Sequence, residues 1–323
     1  MVSTAPLVVL GEVRTCLLPT AGALTRDEAR ELLTLMPGRE VRWRERPGTL
    51  AISPTVAVGV DCDLPMGEDA ARIVGTVATR VVLVGGRVLQ SSARTRVVRA
   101  GERRRQTWSH YISQKGVTEV ISRLPERATA EILLAEGYLV GGDRPEVLDM
   151  ASISERLLGR VRADERLDQS PPIHAGGTRL RWIARVRGQV GPTVQLRLDD
   201  DTTRTVRLIL REESDLDAAQ RFCEDLAAHD WLLTIMAAAF EEADRFGGAS
   251  RERLDILGPL LQHVTGLWMP GAHTPQSMRA LWKELQTEPG FSRQWTTLTD
   301  RLRDNVSVAM LDTLRHKAFD TDW

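Results

Sequence analysis

The chain has 323 residues, a net charge of −1, 42% hydrophobic residues and 27% charged ones. These proportions are ordinary for a soluble globular protein, and the balanced charge excludes a molecule that binds polyanions over its whole surface. Three widely spaced cysteines, Cys16, Cys62 and Cys223, argue against a disulfide framework and suit a reducing cytoplasm, where we expect the protein to reside.

No apolar run approaches the ~18 to 20 residues of a membrane span, and no basic region precedes the short apolar run Leu7–Leu10, so neither a span nor a signal peptide is expected. Lysine is rare (Lys115, Lys283 and Lys317) against 40 arginines. That bias fits a GC-rich genome, so arginine abundance by itself carries little weight.

In chain order, residues 7–18 read as strand. Thr25 and Glu28 form a capping box that opens a helix, and Pro37-Gly38 stops the segment. Residues 40–46 alternate, with Val41 and Trp43 on one face and Arg42, Arg44 and Arg46 on the other. Two long β patterns, 73–84 and 87–98, flank Gly85-Gly86, a hairpin signal because a type I′ turn needs positive φ at both central positions. Residues 103–112 are expected to add a third strand, and 117–124 and 128–135 to be helical. Ser152 with Glu155 predicts a helix to about residue 161.

Gln169-Ser-Pro-Pro172 and Gly176-Gly177 mark a linker. The expected organisation is therefore a β-rich domain over 1–165, a linker over 166–177 and a second domain over 178–323. In the second domain, strands at 179–187, 194–198 and 205–210 predict a three-stranded antiparallel meander, followed by a cluster of four helices with an aromatic core. The longest helical pattern runs from about 215 to 245, with Gly247-Gly248 as its stop. The fold class is α+β.

Within that long helix the apolar stripe is interrupted by His229 and Asp230, a conflict of the kind that gathers at functional sites. Asp225 and His229 are four apart and share a face. A carboxylate there could orient the imidazole for general-base work or metal binding, with Cys223 nearly two turns before His229. The competing interpretation is a buried polar cluster in which Arg221 pairs with Asp225. His263 and His273 flank the Trp268–Gly271 turn and would make a three-histidine metal site with His229 if the helices brought them together.

The block from Arg72 to Arg123 carries ten arginines and Lys115 against Glu102 and Glu119. Inside it, Arg94, Arg96, Arg99, Arg103, Arg104 and Arg105 run into Trp108, His110 and Tyr111. Arginine beside aromatics suits phosphate contact with base stacking. It equally suits an acidic protein surface, including the acidic C-terminal half of the same chain. The arginine-faced strands around Arg42–Arg44 and Arg179–Arg187 can bind phosphates, or form the solvated face of a half-buried sheet. Phosphate-loop, dinucleotide-binding, zinc-protease and serine-hydrolase motifs are absent, and no cofactor is expected.

Seven strings, at 11–18, 92–98, 108–111, 152–156, 221–234, 267–273 and 289–295, together resemble a functionally unassigned family of Streptomyces-type actinobacteria. Its genes lie beside those of a variant P-loop protein and a methyltransferase-like protein. The resemblance assigns no catalytic or cofactor-binding residue. It implies a P-loop partner. The sequence reading is thus a non-catalytic cytoplasmic subunit or adaptor that contacts a protein partner through its basic stretch. Nucleic-acid binding by residues 94–111 and an enzyme centred on His229 and Asp225 are the alternatives.

Overall fold

A computed structural model describes residues 5–141, 146–188, 191–246 and 251–320, and the side chains among these up to residue 311. The fold is α+β. Its centre is β1 (Val8–Leu17), a ten-residue strand that is buried almost throughout. A strand covered on both faces has no solvent side to reserve for polar groups, which suits the run Leu7–Leu10.

On one side β1 pairs antiparallel with β6 (Val88–Arg99). On the other it pairs antiparallel with β8 (Thr178–Val186). Beyond β6 lie β7 (Val117–Val120), β5 (Asp69–Val84), β3 (Leu50–Ile52) and β2 (Arg42–Arg44), while β4 (Val56–Met66) pairs with β5. Beyond β8 lie β10 (Thr203–Leu210) and β9 (Thr193–Leu198). All ten strands make one mixed sheet.

Helices α1 (Arg26–Leu33), α3 (Arg127–Val140) and α4 (Met150–Arg162) cover one face. The other face carries α5 (Leu216–Ala243), α6 (Arg251–His263), α7 (Arg279–Thr287) and α8 (Phe291–Asp320). Phe222, Trp231 and Trp282 pack there with Trp182 of β8. None of the helices, searched over the described residues, is long and apolar enough to cross a membrane.

Several local expectations hold. Thr25 and Glu28 form the capping box of α1. Gly85 and Gly86 both have positive φ, 60° and 68°, and the Arg87 N–H closes their turn on the Val84 carbonyl at 3.1 Å. Other expectations are corrected. Residues 108–112, expected within a strand, lie in α2 (Trp108–Ser113), which buries Tyr111. Residues 117–120, expected to be helical, are β7; Thr118 and Val120 are buried and alternate with half-buried Val117 and Glu119, the period of two that β-branched residues favour.

The C-terminal strands are not a meander, because β10 runs parallel to β8 and lies between it and β9. Physically, β10 buries Thr205, Val206, Leu208 and Leu210, whereas β9 leaves Gln195, Arg197 and Leu198 exposed and takes the edge. Strands before and after the expected linker 166–177 belong to the same sheet, and that segment packs back on the chain: the Ala21 N–H donates to Asp168 at 3.0 Å and the Gln169 N–H to the Pro19 carbonyl at 3.1 Å. The cap of α4 is Asp149, which accepts from the Ser152 N–H at 2.9 Å. The stop expected at Gly247-Gly248 lies outside the described residues.

Gly11 sits opposite Trp182 in the β1–β8 register, and a Cβ there would overlap the indole. Gly11→Ala should destabilise the fold by about 1–3 kcal/mol, the range for overpacking a dense core. Urea unfolding monitored by tryptophan fluorescence measures this, and an unchanged midpoint would contradict the packing described.

Candidate functional site

A cavity of about 940 Å³ lies between the sheet face of β2, β3, β5 and β6 and the helix α5, with residues 266–273 at one side. Its sheet wall follows from strand alternation. Arg80, Val82 and Val84 of β5 share a face, and so do Val88, Gln90 and Arg94 of β6. All six line the cavity. The helical wall is one stripe of α5, comprising Asp217, Arg221, Glu224, Asp225, Ala228, His229 and Leu232. Their three- and four-residue spacings are those of neighbours on a helix face.

A polar seam joins the two walls. Arg80 makes a two-pronged ion pair with Glu224, at 2.8 and 2.7 Å, with both side chains nearly buried. Gln90 donates to the Glu224 carbonyl at 2.9 Å and to the Thr15 hydroxyl at 3.0 Å. Gln220 donates to Ser92 at 2.8 Å, and Arg94 pairs with Asp217.

His229 is 3% exposed. Its Nδ1 lies 2.6 Å from the Asp225 carbonyl and its Nε2 accepts the Met269 N–H at 3.0 Å. Both ring nitrogens are therefore engaged by a neutral imidazole. Trp268 and Trp282 stand edge-on to the ring, at 5.0 and 5.5 Å. Burial pushes its pKa down to about 4. The 3.4 Å approach of Nδ1 to Asp225 Oδ1 is accordingly no ion pair. The expected general base at His229 has no free nitrogen.

Asp225 is held through one oxygen. Its Oδ2 accepts from the Thr274 hydroxyl at 2.7 Å, and that hydroxyl accepts from Trp282 Nε1 at 2.8 Å. Its Oδ1 is buried without a partner, as is Nδ1 of His273. Burial raises the Asp225 pKa to about 6, opposed by the Thr274 hydrogen bond. Burial lowers that of His273.

The other expected residues separate. Asp230 turns to β10, where Arg204 meets it at 3.0 Å. Cys223 is fully buried in the apolar core, and burial pushes its thiol well up. His263 lines no wall of this cavity, and among the described residues no three His, Cys, Asp or Glu side chains are placed to hold a metal ion. The three-histidine site is thus corrected: His229 and His273 line the same cavity, and His263 stays on α6.

The basic stretch divides too. Arg94 and Arg96 turn inward to Asp217 and Glu213, the latter at 3.1 Å. Arg99 donates to the Pro125 carbonyl at 3.2 Å. Arg103, Arg104 and Arg105 are exposed; Arg104 pairs with Glu102, and Arg105 with Asp61 at 3.1 Å. Trp108 is 39% exposed with Arg105 over its ring. His110 meets Glu119 at 2.7 Å, and Tyr111 is buried, its hydroxyl accepting from the Gln106 N–H at 2.9 Å.

Sequence reasoning missed the cationic wall. Arg42, Arg44, Arg80, Arg94 and Arg221 all line the cavity. Arg42 and Arg44 were legible as an arginine ladder. Arg221 could have been found one turn before Asp225, but it was expected to pair with that carboxylate. Instead, Arg42, Arg44 and Arg221 form no ion pair among the described residues. Burial lowers the Arg221 pKa, and Arg80 and Arg44 lower it further. The second ladder is occupied internally, since Arg179 pairs with the fully buried Glu12 at 2.8 Å and Arg181 donates to the Leu139 carbonyl at 3.1 Å. Comparison with protein-family models, curated proteins and solved structures finds no match to this chain.

The Asp225 and His229 shifts have opposite consequences for stability. Unfolded His229 takes up a proton near its ordinary 6.5, folded His229 only near 4, so stability falls as pH drops through that interval. Folded Asp225 keeps its proton up to about 6 and the unfolded group only to 3.8, so its contribution falls as pH rises. Between pH 4 and 6 the two slopes oppose. Asp225→Asn removes one of them, so this variant should lose stability more steeply than the parent from pH 6 to 4, by about 1 kcal/mol or more. Urea titrations at several pH values measure the difference, and parallel slopes would contradict the assignment.

Proposed function

We propose that this protein binds a small organic anion in the cavity between the sheet and α5. The observation that carries the reading is the unmatched pair Arg44 and Arg221. Both line the cavity, neither has an ion-pair partner among the described residues, and Arg80 and Arg94 line it beside them. Arg44 is exposed and Arg221 half-buried, and Arg80 and Arg44 both act repulsively on Arg221; an entering phosphate or carboxylate relieves that repulsion through charge-assisted hydrogen bonds. The volume lies within the range of small-molecule sites. Both ring nitrogens of His229 are engaged, so an acid–base role of this site does not pass through that imidazole.

Arg44→Ala combined with Arg221→Ala should weaken binding of pyrophosphate at least tenfold without lowering the melting temperature, because neither arginine supports the fold through an ion pair. Calorimetric titration measures this. Equal affinity in parent and variant, or no binding by the parent, would sink the reading.

A second reading rests on the exposed loop ahead of α2, where Arg103, Arg104, Arg105 and Trp108 form a basic, aromatic surface. Here the protein is a non-catalytic subunit docking on an acidic partner, with the P-loop protein implied by the resemblance as the partner to test. Co-expressed P-loop protein should co-purify with the parent and be reduced severalfold by replacing all three arginines with alanine. Absence of co-purification overturns this reading. Capture of nuclease-sensitive nucleic acid, with affinity falling steeply in salt, would replace the protein partner by nucleic acid.

A further inference from the structure

Strand β4 keeps part of its outer edge unpaired, and that part lies beside the basic loop. β4 has eleven residues and pairs in the sheet only with β5. At Asp63 its outer side is occupied. The Asp63 N–H donates to the Glu146 carbonyl at 2.7 Å, and the Leu148 N–H donates to the Asp63 carbonyl at 2.8 Å. Backbone groups of every second strand residue point the same way, so Gly59 and Ala57 also turn theirs away from β5. Among the described residues no group bonds to them there. Edge strands are ordinarily blunted by charge, proline or shortness. β2 and β9, at the two ends of the sheet, are short and expose Arg42, Arg44 and Arg197. The stretch Val56-Ala-Val-Gly-Val60 carries neither charge nor proline; Gly59 is exposed and the other four are half-buried.

The two faces beside this edge differ. Val60 and Cys62 pack on the core that contains Leu134 and Tyr138 of α3, and Val58 shares their side by alternation. On the opposite face Trp108 lies over Gly59, where a Cβ would come within 3.0 Å of the indole, and Arg105 pairs with Asp61 at 3.1 Å. Arg103 and Arg104 stand exposed in the same loop. Arg103 forms no ion pair among the described residues, and the Arg104–Glu102 pair is exposed on both sides, so a new carboxylate displaces it at little cost. A strand laid on this edge meets apolar surface on one face and arginine on the other. Its own side chains must then alternate between apolar and acidic. A second copy of β4 lacks that pattern and would bring one arginine loop against another.

We propose that the outer edge of β4 at 57–61 takes an extended segment of a partner protein, in which acidic and apolar residues alternate, as an added strand of the sheet. Its acidic side chains lie toward Arg105 and the arginine loop, and its apolar ones beside Val58 and Val60. The proposal rests on the docking reading of that loop and supplies the mode of attachment.

The experiment is fluorescence anisotropy of a labelled heptapeptide of alternating glutamate and valine, titrated with the intact protein. The peptide should bind saturably. N-methylation of all its glutamate amides blocks one backbone edge, and of all its valine amides the other. One of these two peptides should bind at least tenfold more weakly than the parent peptide, and the other should change less than threefold. Ala57→Pro removes an outward N–H and leaves the β5 ladder intact, so it should weaken the parent peptide at least tenfold. A melting curve checks its folding, and the N-methylated pair tests the same edge on the unaltered protein. Replacing Arg103, Arg104 and Arg105 by alanine should weaken the peptide severalfold. If the two N-methylated peptides bind alike, attachment is by charge alone: the edge is overturned and the basic-loop reading stands. No binding of the parent peptide overturns the edge and leaves that reading to its own co-purification test. A protein that sediments as a dimer, with Ala57→Pro a monomer, overturns the partner segment in favour of a second copy.

Discussion

The Arg80–Glu224 pair holds this structure's functional region together. It joins the C-terminal half of β5 to the third turn of α5 through two short hydrogen bonds, with the arginine 11% and the glutamate 6% exposed. A buried pair of this kind gains little net stability over an apolar contact, because desolvation offsets most of the Coulomb attraction. Its effect is positional. A two-pronged contact fixes the distance and rotation of the helix against the strand, and the accompanying bonds from Gln90 and Gln220 fix its register along β6. With α5 held so, the stripe that contains Arg221, Asp225 and His229 faces the sheet across an open space rather than closing on it.

The electrostatics of that space follow from which charges are matched. Glu224 neutralises Arg80 and Asp217 neutralises Arg94, but Arg44 and Arg221 keep uncompensated charge. At the other end His229 is neutral by construction. The Asp225 carbonyl and the Met269 N–H use both its nitrogens, and three tryptophans complete the apolar shell: Trp268 and Trp282 stand edge-on to the imidazole, while Trp295 stacks on Trp268 at 4.4 Å. An imidazolium there would lose its hydration, and the carboxyl beside it, Asp225 at 3.4 Å, is itself pushed toward its neutral form by burial. Asp225 is the converse case, a carboxyl with one oxygen anchored by Thr274 and the other buried without a partner, which burial keeps protonated above the ordinary carboxylate range.

The basic block shows how one composition signal can carry two roles. Arg94 and Arg96 meet Asp217 and Glu213 at the start of the C-terminal helical layer. Arginine on the sheet and acid on the helix are therefore part of the fold's internal seam. Nine residues on, the same basic run leaves the sheet, and Arg103 to Arg105 stand in solvent beside a half-exposed tryptophan. Sequence spacing does not distinguish the two halves. What separates them is the end of β6 at Arg99: beyond it Arg103 to Arg105 are exposed, with Arg104 pairing to Glu102 in the loop and Arg105 to Asp61 of β4.

Local chemistry made much of the architecture legible. The Thr25 capping box, the glycine pair at 85–86, the alternation of Val41, Arg42, Trp43 and Arg44, and the long apolar period of α5 are each decided within a few residues, because caps, turns and amphipathic faces depend on neighbours in the chain. The conflict at His229 also pointed to the right helix face. Only tertiary structure decided the rest. Residues 117–120 became a strand because β5 and β6 diverge and offer open edges, and β10 took the inner place beside β8 because its side chains can be buried on both faces. Arg221 avoided Asp225 because Thr274 and Trp282, some fifty residues away in sequence, already hold that carboxylate. The cavity itself joins β2, β5, β6, α5 and the 266–273 turn, and no periodicity encodes which distant elements will enclose a common volume.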